Sequence, residues 1–450
     1  MLTTSVIKLI FWRLSHRRTT AVQVQHGTSA AAVQQQYRAA VQQQYRAAVQ
    51  QQCRAAVQQQ CRAAVQQRYR AAVQQQAGCV TTTVKRECDL SKRVLVIGAT
   101  GVAGSAFVEH IREHQYLANN GTNNDASNFA AIDRVASDNG VCDWQVIGVS
   151  RHVRTAGASP DSNSSDSALR DSVSFIQADL LTDYTSIKSL HDITHVVFAG
   201  FVPAPDFQQQ VAPNRDILIN CIRALESNPL QRIVLIQGMK YYGSHLGAFK
   251  TPAREDDPRH AGENYYYAQQ DVLEQSGIDW TCLRPHVICG TSSIGTPQNI
   301  LSVIGVYASL MRETGQPLSW PGSVESFTAI NQATDARLLA RAIEWSLNSD
   351  SAANQAYNVT NGDFFRWQHL WPKIAELFRM QAGEVSPQSL SDTMPLLASQ
   401  WQELIDRHEL KPGSMESIVN WPFADYILRT GWDVIGQYCQ NKAVGLCQLS

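Results

Sequence analysis

Between residues 93 and 285, short apolar runs alternate with stretches of helical spacing. The runs are RVLVI (93–97), WQVIGVSR (144–151), VSFIQADL (173–180), THVVFAG (194–200), RIVLIQG (232–238) and IDWTCLRP (278–285). Most are close to continuously apolar rather than strictly alternating. That is the pattern of strands buried on both faces of a parallel sheet. The intervening segments predict a helix up to residue 116, a short helix after residue 180, and another over 214–227. Strand and helix in alternation give an α/β, doubly wound parallel sheet with helices on both faces. Beyond Pro285 the pattern changes. Helices are predicted over 300–314, 335–348, 367–378 and 396–408, with a short strand and turn at AYNVTNG (356–362). A mostly helical C-terminal region of this kind is expected to cover a ligand site at the sheet edge.

Two polar segments interrupt the alternation. One, 115–143, is Asn-rich, and the other, 155–172, is rich in Ser and Asp. Both are expected as surface loops. At the N-terminus, residues 31–76 repeat AAVQQQYR with a period of eight, Tyr becoming Cys at Cys53 and Cys61. An apolar stripe with that period drifts about 80° per repeat around a helix. The repeat has few large apolar groups, so it cannot build a core and is expected to be a disordered or fluctuating helical tail.

The first strand runs straight into GATGVAG. Gly98 suits a tight turn, Gly101 lets the backbone approach a phosphate, and Gly104 lets the helix pack on the strand. Strand, glycine turn and helix in that order are the context of a dinucleotide site of Rossmann type. The helix N-terminus offers N–H groups and a positive dipole end to a pyrophosphate. Candidate contacts are Gly98, Thr100, Gly101, Val102 and Gly104. The bland alternative is a glycine turn without a ligand. An acid at the end of the second strand would bind a ribose hydroxyl. That position instead reads Ser150, Arg151, His152, Val153, Arg154. Arginine there suits a 2′-phosphate, so NADPH is the expected cofactor, against a solvated basic loop. Asp179 is placed to meet the adenine amino group or to cap a turn. Leu180 beside it and Gln237 at the end of the fifth strand complete this set. The expected organisation is a tail (1–90), an NADP-binding domain (91–290) and a substrate-binding region (291–450).

The formal charge of −1 hides an asymmetry: residues 1–86 carry twelve basic and no acidic side chains, and the remainder has 26 basic against 39 acidic. An acidic body argues against nucleic acid as the partner. Cys142, Cys221, Cys282 and Cys289 lack metal-ligand spacing and read as reduced and structural, and no metal is expected. No apolar run is long enough for a bilayer span. The expected setting is cytoplasmic, with organelle targeting by the acid-free extension as the alternative. Oligomeric state is left open, a homodimer being one option.

Short-chain dehydrogenases ordinarily use Tyr-x-x-x-Lys on one helix. Here Tyr265, Tyr266 and Tyr267 are followed four positions on by Gln269, Gln270 and Asp271. The nearest alternative cation is Lys240, at a strand's C-terminal edge. The stretches GMKYYGSHLGAFKTPAREDDPRH (238–260), NYYYAQQD (264–271) and NVTNGDFFRWQHLW (358–371) closely resemble the progesterone 5β-reductase/iridoid synthase-like family. The resemblance covers roughly 93–426. It implies an atypical short-chain dehydrogenase that reduces activated C=C bonds of a small enone or enal with NADPH. It also implies catalytic roles for Lys240 and for Tyr266, with Tyr265 in place of the family's Phe. Both residues would also contact the cofactor. Phe249 matches the phenylalanine of a G-P-F segment, with Ala248 for the Pro. Phe423 resembles a pocket-lining aromatic. The terminal QNKAVGLCQLS does not resemble the family, so closure of the pocket is expected to differ. His245, His260, His286 and His369 read as structural or surface, and Asp256, Asp257 and Arg259 as a loop ion-pair set. The competing readings are a sugar-nucleotide epimerase or dehydratase on the same fold, and a non-catalytic NADP-binding sensor or scaffold.

Overall fold

A computed structural model describes residues 92–119, 144–151, 173–292 and 296–437. The repeat tail, most of both polar loops, and Cys142 and Arg154 lie outside the described residues.

The central sheet is parallel throughout and has seven strands: β1 (Lys92–Ile97), β2 (Trp144–Ser150), β3 (Val173–Gln177), β4 (His195–Phe198), β5 (Arg232–Ile236), β6 (Asp279–Pro285) and β7 (Gln355–Val359). Their spatial order is β7-β6-β5-β4-β1-β2-β3. Strand order therefore reverses between β1 and β4, where Val94 aligns with His195 and Ile97 with Phe198. In an open α/β sheet a ligand crevice forms at that reversal, beyond the strands' C-terminal ends.

The strand pattern explains the layering. Alternate β1 side chains point to opposite faces. Val94 and Val96 pack into the core that holds Phe107 and Ile111 of α1 (Val102–Asn119) and Leu339 and Ile343 of α5 (Ala336–Asn348). Leu95 and Ile97 pack with Ile217 and Leu218 of α2 (Val211–Ala224) and Leu273 of α3 (Tyr265–Ser276). A strand sandwiched this way must be apolar at every position, which is why β1 reads as an unbroken run. Edge strand β3 is the contrast: it is mostly exposed and its run is more polar.

The C-terminal region has its own core around Tyr307 of α4 (Ile300–Glu313), Trp320, Trp367 and Trp371 of α6 (Trp367–Leu377), Trp401 of α7 (Ala398–Arg407) and Trp421 of α8 (Trp421–Arg429). One expectation is corrected here. The segment read as a short strand of the C-terminal region is β7, which pairs with β6 in the main sheet, Tyr357 facing Leu283. Helix α5 likewise belongs to the first core, packed on α1. The chain thus returns to the sheet after it has begun the second region.

Candidate active site

The glycine turn follows β1 at the strand reversal. Gly98 has φ +78°, and a Cβ there would lie 2.6 Å from the carbonyl oxygen of Ala199, which follows β4. A Cβ on Gly104 would lie 2.4 Å from the Gly98 oxygen, so α1 packs directly on the turn. Gly101 differs: a Cβ there would meet only the Gly98 oxygen, at 3.3 Å. Its outer side is open. The turn is pinned by Gly98 and Ala99 N–H groups donating to Val149 O (2.9 and 3.2 Å) and by Gly101 N–H donating to Gly98 O (3.0 Å). Among the described residues, the N–H groups of Val102, Ala103 and Gly104 have no backbone acceptor. A helix leaves its first N–H groups unpaired, and these face an anion well. The cradle fits a pyrophosphate.

Thr100 and Ser150 join the turn to the end of β2 through their hydroxyls, 2.7 Å apart. Arg151 follows and is exposed. The Asp179 carboxylate accepts from Leu181 N–H at 3.0 Å through Oδ1, capping a local turn. The Leu180 side chain is buried in the core and its carbonyl accepts from Asn220, at 2.7 Å. Gln237 is similarly committed. Its side chain donates to the Tyr266 carbonyl (3.1 Å) and accepts from Arg284 Nε (2.9 Å).

Arg284, unremarked in the sequence, anchors the floor. It is buried, pairs with no carboxylate among the described residues, and bonds Gln237, the Tyr242 hydroxyl (2.9 Å), the Glu255 carbonyl (3.2 Å) and Gln270 (3.3 Å). Its guanidinium lies 3.3 Å from the Tyr241 ring centroid. The residues four positions after the tyrosines are all in use: Gln269 donates to Asn214 O (2.9 Å), Gln270 serves Arg284, and Asp271 pairs with Arg259 (2.6 Å). The anticipated loop ion-pair set is therefore different, since Asp257 pairs with Lys250 and Arg259 with a helix.

Lys240 sits in the 3-10 turn Met239–Tyr242 just after β5. Its ammonium lies 4.6 Å from the Tyr426 ring centroid and 5.4 Å from that of Phe207. No carboxylate pairs with it among the described residues. Burial lowers its pKa from 10.5 to about 8. Asn264, the N-cap of α3, links it to the tyrosines: its side chain donates to Lys240 O (2.9 Å) and accepts from Tyr266 N–H (3.0 Å).

The structure separates the three tyrosines. Tyr267 donates its hydroxyl to Tyr241 O (2.5 Å) and accepts from His260 N–H (2.9 Å). Tyr265 is buried against Phe201 and Phe207, and its hydroxyl bonds that of Tyr266. Tyr266 is half-buried, with its hydroxyl beside Gly238: a Cβ there would lie 3.2 Å from it. Burial raises the Tyr266 pKa to about 12, partly offset by the bond from Tyr265. Its hydroxyl is held neutral.

A family model of a PRISE-like Rossmann-fold domain matches residues 169–448. The chain belongs to this family. Among curated proteins, the (S)-8-oxocitronellyl enol synthase CYC2 of Camptotheca acuminata is 29% identical over 76% of this chain and 84% of that protein. The (S)-8-oxocitronellyl enol synthase of Catharanthus roseus is 29% identical over 78% and 85%, and the short chain dehydrogenase gsfE of Penicillium aethiopicum 27% over 76% and 90%. The PRISE-like match makes the chain a short-chain-dehydrogenase-type oxidoreductase on a nicotinamide-dinucleotide fold.

Within the PRISE frame, Phe249 packs in the small cluster that includes Tyr266 and Trp432. Phe423 instead packs into the C-terminal core. The aromatic that meets Lys240 is Tyr426, one turn further along α8. Burial holds the Tyr426 pKa up at about 12. His245 is half-buried. It stacks on Phe207 with centroids 3.9 Å apart, neither ring nitrogen has a partner among the described residues, and burial lowers its pKa to about 4. Together His245, Asp425, Tyr426, Arg429, Thr430 and Trp432 line an open groove of about 310 Å³. The segment after α8 closes over this region: Trp432 Nε1 donates to Ser244 O (3.1 Å) and Gly436 N–H to Gln332 (2.7 Å). The family match continues to residue 448, into the segment that the motifs had set apart.

Proposed function

We propose that this chain is an NADPH-dependent reductase of C=C bonds conjugated to a carbonyl, acting on a small enone or enal. The observation behind this reading is the placement of Tyr266. Of three adjacent tyrosines, Tyr267 gives its hydroxyl to the Tyr241 carbonyl and Tyr265 is enclosed by phenylalanines, whereas the neutral Tyr266 hydroxyl, bonded to that of Tyr265, lies beside Gly238 at the sheet's C-terminal edge. NADPH, when bound, supplies a hydride that adds to the β-carbon of the substrate. Negative charge then grows on the carbonyl oxygen. Tyr266 donates a hydrogen bond to that oxygen, and a donor aimed at developing charge accelerates the step. Lys240 contributes positive charge toward the same region. Burial pushes the Tyr266 pKa up to about 12, so in this reading it acts as a protonated donor. Solvent protonates the α-carbon afterwards. The relatives named enol synthases fit, since an enol is what conjugate reduction leaves before that protonation. The epimerase reading needs a lysine where Gln270 stands, and Gln270 is bonded to Arg284.

The test is NADPH oxidation by the purified protein against a panel of small enones, enals and steroid enones. Turnover of at least one class is expected, and inertness toward all of them would sink the reading. For the cofactor, Ser150 and Arg151 favour NADPH over NADH. Arg151→Ala is expected to erode that preference, and an unchanged ratio of kcat/KM for the two cofactors would remove Arg151 from the site.

A further inference from the structure

Away from the groove, α1 and α5 bring together His110, His114 and Glu344. The two histidines are four residues apart, so they share one face of α1. Glu344 reaches them from α5: its Oε2 lies 2.7 Å from His110 Nε2 and its Oε1 3.7 Å from His114 Nδ1. The three ligand atoms all lie within 4.8 Å of one another. Zinc holds ligand atoms at about 2.0–2.2 Å, which at tetrahedral angles sets them about 3.3–3.5 Å apart. The observed spacing brackets that value, and a small carboxylate rotation would equalise it.

We propose that His110, His114 and Glu344 form a binding site for a divalent transition metal of the zinc class. The donor set is two imidazoles and one carboxylate, which suits such ions and not calcium or magnesium. The site is reachable: side-chain exposure is 11% for His110, 39% for His114 and 26% for Glu344. A fourth position is left to water. His110 lies eight residues into α1, about 12 Å along the helix from the glycine turn. The metal therefore braces α1 against α5 rather than entering the reaction.

The test uses the full chain, stripped with a chelator, titrated with zinc chloride and with cobalt(II), and melted with and without zinc. One ion should bind per chain at about 10 µM or tighter and raise Tm, since a ligand of the folded state stabilises it. His114→Ala and Glu344→Gln should each weaken binding at least about tenfold and abolish the Tm rise, as loss of a ligand demands. The cobalt spectrum should lack thiolate charge transfer. Binding that survives either substitution, a thiolate band, or a Tm indifferent to zinc would overturn the site and leave a hydrogen-bonded His–Glu cluster.

Discussion

At the residue scale, environment rather than residue type distinguishes Tyr266. Tyr265, Tyr266 and Tyr267 are equivalent as letters, yet one is enclosed by phenylalanines, one is tied to backbone, and one faces Gly238. Tyr266→Phe removes only the hydroxyl and should leave NADPH binding intact. It should lower kcat by about 10²–10³, the usual cost of losing a donor to developing charge. Lys240→Ala should cost a comparable factor, and the double variant less than the product, because groups acting on one oxygen are not independent. Single-turnover rates with a reducible enone decide it, and an undiminished rate for Tyr266→Phe shifts the role to another donor. Lys240 also leaves a mark on stability. Its folded pKa of about 8 lies below the unfolded value of 10.5. Between those values the unfolded chain holds more protons, so stability rises with pH there, and below about pH 8 the full penalty applies. From the shift, the penalty is about 3 kcal/mol, of which about 1 kcal/mol is relieved between pH 7 and 9. Denaturant melts of wild type and Lys240→Met at those two pH values should show that gain in the wild type alone.

At the scale of elements, the strands were legible because a sheet covered on both faces forces unbroken apolar runs, as in the four buried residues of β1. The glycine turn was legible for a related reason: Gly98 combines φ +78° with a backbone oxygen 2.6 Å from its missing Cβ, and Gly104 has one at 2.4 Å, close approaches that only Gly allows. Pairing at long range was not. Nothing local in AYNVTNG says that it returns to β6 rather than forming a piece of the lid. The Arg284 network was invisible for the same reason, being assembled from β5, α3, β6 and the Glu255 loop. Phe423 and Tyr426 lie on one helix, and choosing between them required knowing which side of α8 faces Lys240. Two substitutions test the elements. Gly104→Ala drives a methyl into backbone at Gly98 and Ala99 and should destabilise by about 1–3 kcal/mol with weakened NADPH binding. Asn264→Ala removes the α3 cap and the link to Lys240. It should cost about 1–2 kcal/mol by loss of the cap, and more in kcat than in KM. Thermal melts and kinetics on both variants check this, and an Asn264→Ala enzyme with wild-type kcat would mean the link does not position the site.

At the scale of the molecule, the charge asymmetry divides the chain more sharply than any motif. Residues 1–86 are basic and acid-free, while the remainder is net acidic. Attraction between opposite charges in water is screened beyond about 8–10 Å at physiological salt. Holding the N-terminal part on the body would need apolar burial as well. The octapeptide repeat offers mainly Ala and Val as apolar groups, with one Tyr or Cys per period. β1 is central, flanked by β2 and β4, and its four core residues are enclosed by α1, α2, α3 and α5. A chain beginning at Thr83 should consequently express in soluble form, melt within a few degrees of the full chain, and bind NADPH with the same Kd. Raising salt should also leave the full chain's kcat/KM unchanged. Insolubility, a lost NADPH site, or a salt-dependent activity present only in the full chain would each show that the basic segment docks on the acidic body and shapes the cofactor site.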